Sequence, residues 1–215
     1  MSIVTSKTAA PSQDCRLCPR LAEFRDTNAT KHPDYFNSPV PSFGENNPWL
    51  LIVGLAPGLH GANATGRPFT GDYAGDLLYD TLIKNNLATG QYKKSPDDGL
   101  ELVGCRITNA VRCVPPENKP TSSEIKTCLP FLNQEVKHTS SIKVMIALGT
   151  IAHNAILTCF NEKKSAHKFG HNAVHQLASG VTLVDSYHCS RYNTNTKRLT
   201  PEMFQNAFLT AMSYR

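Results

Sequence analysis

Four short strand-like runs alternate with helical stretches along the chain, and this alternation constrains the fold more than any other feature. The runs are residues 49–54, 105–111, 143–148 and 181–186. The first is continuously apolar, the mark of a strand covered on both faces. The stretches between them carry helix signals. Residues 76–87 place Leu77, Leu78, Leu82 and Ile83 near helical spacing. Thr121 and Glu124 have the spacing of a capping box, which opens a helix toward His138 with a kink at Pro130. Residues 150–160 read as a further helix. Thr200 followed by Pro201 is an N-cap with proline in the first turn, opening a last helix to about residue 213. Residues 15–24 allow one or two helical turns, after which Pro33, Pro39, Pro41 and Pro48 break up the chain. Strands alternating with helices predict an α/β fold: a parallel sheet with helices on both faces.

The 215 residues suit a flexible tail over residues 1–13 and one domain over residues 14–215. Apolar residues make up 40% and charged residues 18%, which excludes strongly disordered and collagen-like classes. The longest apolar stretches fall far short of the roughly 18 residues of a membrane span. The first ten residues lack the apolar run of a signal peptide, so a reducing, cytoplasmic setting is expected. Lys plus Arg is 22 against 17 for Asp plus Glu, a net charge of +5 that allows a nucleic-acid partner without requiring one.

In parallel sheets ligands bind beyond the carboxyl ends of the strands. That rule selects residues 55–72, 109–113, 149–150 and 187–198. The first segment is glycine-rich, with Gly54, Gly58, Gly61, Gly66 and Gly71. It nearly copies a phosphate-binding P-loop, but Arg67 stands where the lysine belongs and Pro68 where the metal-binding hydroxyl belongs. A nucleotide triphosphatase is rejected on those two positions. His60, Asp72 and His188 share the ligand-side rim, and Asp72 also suits a helix N-terminus. His167, His171 and His175 have helical spacing, but Gly170 and polar surroundings argue against a metal-binding helix.

Seven cysteines in a reducing compartment need an explanation other than disulfides. Cys15 and Cys18 form a CxxC pair, and Cys113 and Cys128 make a second, wider pair. Four thiolates of this kind suit a cubane iron–sulfur cluster or a structural zinc ion, with ordinary buried thiols as the bland alternative. The lack of a second CxxC tilts the choice toward iron–sulfur. Cys105 and Cys159 read as core residues.

Three segments together resemble a known family. Gly54-Leu-Ala-Pro-Gly-Leu-His60-Gly-Ala-Asn63-Ala-Thr-Gly66-Arg67-Pro-Phe69-Thr-Gly71-Asp72 is similar to the first motif of the B-type (family five) iron–sulfur uracil-DNA glycosylases. Ile107-Thr-Asn109-Ala-Val-Arg-Cys113-Val-Pro-Pro resembles their middle motif. Ser186-Tyr-His188-Cys-Ser-Arg191-Tyr-Asn193-Thr-Asn-Thr-Lys-Arg-Leu-Thr200-Pro resembles their last. The resemblance runs from about Cys15 to the C-terminus. It implies a three-layer αβα sandwich around a four-stranded, mainly parallel sheet. It also implies a [4Fe-4S] cluster on Cys15, Cys18, Cys113 and Cys128, and removal of uracil, with hypoxanthine or xanthine as further substrates, from DNA in base excision repair. Asp72, His188 and Asn109 would be catalytic. Gly54, Ala56, Pro57, Gly58, His60, Phe69 and Asn109 would hold the flipped base. Arg67, Ser190, Arg191, Tyr192, Asn193 and Arg198 would contact DNA. A monomer with no membrane partner is expected.

Three positions depart from the family pattern. Cys189 replaces a proline after His188, Lys197 replaces a glycine, and Gly58 stands where alanine is common. Cys189 keeps a second reading open, a metal-stabilised nucleic-acid-binding module with a degenerate pocket. A cluster on four thiolates carries about −2 together, so the holo-protein is only weakly basic. DNA attraction then depends on where the cations sit, with Arg67, Arg191, Lys197 and Arg198 expected on the rim.

Overall fold

All four runs are strands of one sheet in the computed structural model, which describes residues 10–215. In chain order the strands are β1 (Phe43–Gly44), β2 (Leu50–Gly54), β3 (Ala88–Thr89), β4 (Glu101–Leu102), β5 (Cys105–Asn109), β6 (Val144–Leu148), β7 (Val174–Gln176) and β8 (Thr182–Ser186). The helices are α1 (Pro19–Lys31), α2 (Ala62–Thr65), α3 (Tyr73–Lys84), α4 (Ser122–His138), α5 (Thr150–Cys159), α6 (Arg191–Asn195) and α7 (Pro201–Met212). The main sheet runs β1-β5-β2-β6-β8-β7, and β3 pairs with β4 in a separate ribbon. The inner four strands are mutually parallel, with Leu50 opposite both Cys105 and Val144, and Val144 opposite Thr182.

The sheet has six strands where four are expected. Both extra strands are antiparallel edges, β1 on β5 and β7 on β8. They span two and three residues and are only partly buried, too short and too polar to show an apolar run.

Each inner strand is buried along its whole length, and alternate residues go to opposite layers. On one face Leu50 and Ile52 pack with Leu78 and Leu82 of α3 and Phe204 and Phe208 of α7. On the other face Leu51 and Val53 pack with Leu132 of α4 and Ala152 and Ile156 of α5. This is the three-layer αβα arrangement. Each such aliphatic side chain stabilises the fold by roughly 1.5–3 kcal/mol relative to exposure. The far face of β5 is polar instead. There Arg112 Nη2 meets Glu135 Oε2 of α4 at 2.5 Å and Thr108 Oγ1 donates to the same oxygen at 3.0 Å.

Thr121 and Glu124 make the expected capping box, and Thr200 caps α7 through the Met203 N–H. The first helix is longer than the one or two turns expected. It runs from Pro19 to Lys31, because its buried face includes Arg25 and Asn28 and so shows no apolar stripe. His167, His171 and His175 do not share a helix; His175 lies on β7. The expected tail falls largely on residues 1–9, outside the described residues. Its last residue, Gln13, offers its carbonyl to Arg25 Nη1 at 3.1 Å. No helix of the described residues is long and apolar enough to cross a membrane.

Candidate active site and cysteine pocket

The ends of β2, β5 and β8 open onto one cavity. Ala56, Gly58, Phe69, Asp72, Asn109 and His188 line its inner part. Toward solvent it widens between His60, Tyr73, Asn118 and Arg191.

Asp72 is the N-cap of α3, as the sequence suggests. Its Oδ1 accepts from the Gly75 N–H at 3.1 Å. Its Oδ2 lies over the glycine loop: a Cβ on Gly61 would sit 2.5 Å from it, and one on Gly58 3.1 Å. The loop approaches the carboxylate this closely only because those positions lack side chains. Burial raises the Asp72 pKa above the ordinary carboxylate value, and the Gly75 and Ala74 N–H groups partly offset the rise.

His188 stands across the cavity, its ring stacked on Phe69 with centroids 6.0 Å apart. Burial pushes its imidazolium down to about 4, so the ring is neutral at pH 7. Asn193 Nδ2 donates to the His188 carbonyl at 2.8 Å and holds the loop. Cys189 is fully buried in the core beside it, and burial keeps it a thiol.

Phe69 has φ of +57°, a left-handed conformation that costs an aromatic residue about 1–3 kcal/mol. Tyr92 Oη donates to its carbonyl at 3.2 Å and helps fix it there. Gly54 makes room for the pair at the cavity floor: a Cβ there would lie 2.4 Å from Asn109 Oδ1 and 2.6 Å from Phe69 Cζ. Asn109 is buried at the end of β5, and its Oδ1 has no partner among the described residues. That is an acceptor waiting for a donor. Pro57 is buried behind the loop. His60 is exposed at the mouth, with Nδ1 3.0 Å from Tyr35 Oη.

The expected DNA-contacting cation Arg67 is corrected. It is buried, pairing both terminal nitrogens with the Asp98 carboxylate at 2.8 Å and lying over the rings of Phe43, Tyr79 and Tyr92. It braces the glycine loop from within and offers no charge to a phosphate. Ser190 is the N-cap of α6, accepting from the Asn193 N–H. Arg191 lies over the Tyr73 ring at 5.2 Å and Arg198 over Tyr187 at 4.6 Å, both exposed. Tyr192 is 72% exposed, an unusual degree for an aromatic ring.

Cys15, Cys18, Cys113 and Cys128 line one pocket with Leu21, Val111 and Phe131. Arg25 clamps the segment before α1 by donating to the Gln13 and Cys15 carbonyls. The Arg112 N–H points at Cys128 Sγ at 3.4 Å. Four cysteine sulfurs around one pocket are the donor set of a cubane iron–sulfur cluster or a structural zinc ion. Cys105 and Cys159 are buried away from the pocket.

A sequence model of the uracil DNA glycosylase superfamily matches residues 41–211. The type-5 uracil-DNA glycosylase of Thermus thermophilus is 45% identical over 202 residues, covering 92% of each chain. That of Pyrobaculum aerophilum is 39% identical, covering 88% of this chain and 84% of its own. A type-4 uracil-DNA glycosylase of Sulfurisphaera tokodaii is 31% identical, covering 89% and 77%. The chain belongs to the uracil-DNA glycosylase superfamily, in its type-5 branch. Within this type-5 fold, Asn118 is a cavity residue that sequence reasoning missed. It follows Glu117, and both have positive φ, which turns the chain back over the cavity mouth. Asn and Gly tolerate that conformation best, so the Glu117-Asn118-Lys119 turn after two prolines is the signal that was available.

Proposed function

We propose that this type-5 family member hydrolyses the N-glycosidic bond of uracil, and also of hypoxanthine and xanthine, in DNA, and so initiates base excision repair as a cytoplasmic monomer. The observation that carries this reading is the pairing across one cavity of a carboxylate with a free oxygen, Asp72, and a neutral imidazole, His188. The names of the relatives support it.

The target base leaves the stack and enters the inner cavity. Phe69 stacks on it, and Asn109 pairs with its polar edge through an amide that donates and accepts. The bond lengthens toward a cationic sugar and an anionic base. Asp72 Oδ2 stabilises the sugar cation and takes the proton of the water that adds to C1′. His188 donates a hydrogen bond to the base O2, where negative charge grows. A neutral imidazole does this without first losing a proton. Tyr192 fills the vacated stack, and Arg191 and Arg198 meet the backbone.

Cys15, Cys18, Cys113 and Cys128 would hold a [4Fe-4S] cluster. When bound, the cluster ties the N-terminal segment to the turn that carries Asn118, and it supplies no redox step to a hydrolysis. Anaerobically purified protein should be brown with about four irons per chain; a colourless, zinc-loaded protein contradicts this.

The degenerate-module reading rested on Cys189. Asn193 and the buried thiol hold the His188 loop without a proline, which favours an active site. Incubation with a uracil-containing oligonucleotide tests the choice: free uracil and an alkali-labile site are expected, and binding without base release contradicts the proposal.

A further inference from the structure

We propose that His153, His175 and Asp185 form a binding site for one divalent ion of the zinc type, separate from the cavity and from the cysteine pocket. The residues come from α5, β7 and β8, and one ligand atom of each lies within 4.8 Å of the other two. His153 Nδ1 is 2.7 Å from Asp185 Oδ1, and His175 Nε2 is 3.0 Å from Asp185 Oδ2. The side chains of Asp185, His153 and His175 are only 0%, 2% and 10% exposed. Two imidazoles and a carboxylate are ligands that zinc accepts, with a fourth position left for water.

The hydrogen bonds around the triad point the same way. His153 Nε2 lies 2.9 Å from the His167 carbonyl, so that nitrogen carries a proton. In a neutral ring the opposite nitrogen, Nδ1, then presents its lone pair to the Asp185 carboxylate. Lone pair facing lone pair at 2.7 Å needs a cation between them, either a second proton or a metal ion. Anchoring a ligand histidine through its other N–H on a backbone carbonyl is the usual support of metal sites. Asp185 is steadied by the Gly170 N–H at 3.3 Å, and the His167 ring, 3.2 Å from Glu162 Oε2, lies edge-on to His175 with centroids 5.5 Å apart.

Entry of the ion displaces whatever hydrogen lies between His153 Nδ1 and Asp185 Oδ1, and that hydrogen leaves to solvent. The proton on His175 Nε2 leaves to solvent or moves to the other ring nitrogen. The bound ion staples α5 and β7 to β8, the strand that leads to His188.

The test uses cluster-loaded protein, dialysed without oxygen against micromolar zinc and counted for metal. One zinc per chain beyond the cluster iron is expected, with a rise of several degrees in Tm. H175Q keeps a donor toward Asp185 but weakens the ligand set, and should lose both. Cobalt in place of zinc should give ligand-field bands without sulfur-to-metal charge transfer. A wild-type protein that holds no extra zinc overturns the proposal even if H175Q does not fold. So does equal retention by H175Q, or cobalt bands that report thiolate ligands.

Discussion

The side-chain amide of Asn193 holds the main-chain carbonyl of His188 at 2.8 Å, so the histidine loop is fixed from inside its own turn. Asn193→Ala removes that hydrogen bond, worth about 1 kcal/mol or a little more. Single-turnover uracil release should fall roughly tenfold with DNA affinity unchanged. An unchanged rate would show that the loop is held by packing alone.

Gly61→Ala places a methyl group 2.5 Å from Asp72 Oδ2. Either the loop or the carboxylate must shift, and displacement of a reacting group by about 1 Å can cost 10²-fold. The expected outcome is a rate loss of that order in a protein that still folds, checked by kinetics beside circular dichroism.

The pH–rate profile should lack a histidine limb near neutrality. Burial holds His188 down to about 4, so it stays neutral through the physiological range. Asp72 is raised above the ordinary carboxylate value and must be ionised to stabilise the sugar cation. Activity should therefore fall as pH drops through that raised value. Steady-state rates from about pH 4 to pH 8 locate the limb, and a drop centred near 6.5, the ordinary histidine value, contradicts the assignment.

Arg67 and Asp98 predict a stability effect. The guanidinium holds the Asp98 carboxyl well below its usual range, with the Lys93 and Leu100 N–H groups adding to it. A depressed carboxylate contributes stability above its unfolded pKa of about 3.9 and loses it as pH falls through the folded value. Asp98→Asn should cost about 3 kcal/mol at pH 7, roughly 6–12 °C in Tm, and should flatten the acid decline of stability. Thermal melts across the acid range check both parts.

The inner sheet was legible because β2 and β6 are apolar on both faces and helix signals separate the four strands, and Asp72, Thr121 and Thr200 announced their helices by their own side-chain chemistry. Cues that depend on a distant partner were not legible. Arg67 reads as a rim cation until Asp98, 31 residues on, is seen beside it. The first helix hid because Arg25 and Asn28 occupy its buried face. Asn193 reads as a DNA contact, whereas its amide is used on His188. The triad of His153, His175 and Asp185 is spread over three elements, and the regular spacing of His167, His171 and His175 pointed to the wrong grouping.

The central claim is that Asp72 carries the chemistry. Single-turnover release of uracil from a DNA oligonucleotide, compared between the wild-type protein and Asp72→Asn, tests it most directly. Asparagine keeps an acceptor for the Gly75 N–H and so keeps the helix cap. The rate should fall by roughly 10²–10³-fold or more with DNA binding retained. A variant that releases uracil at the wild-type rate would contradict the account.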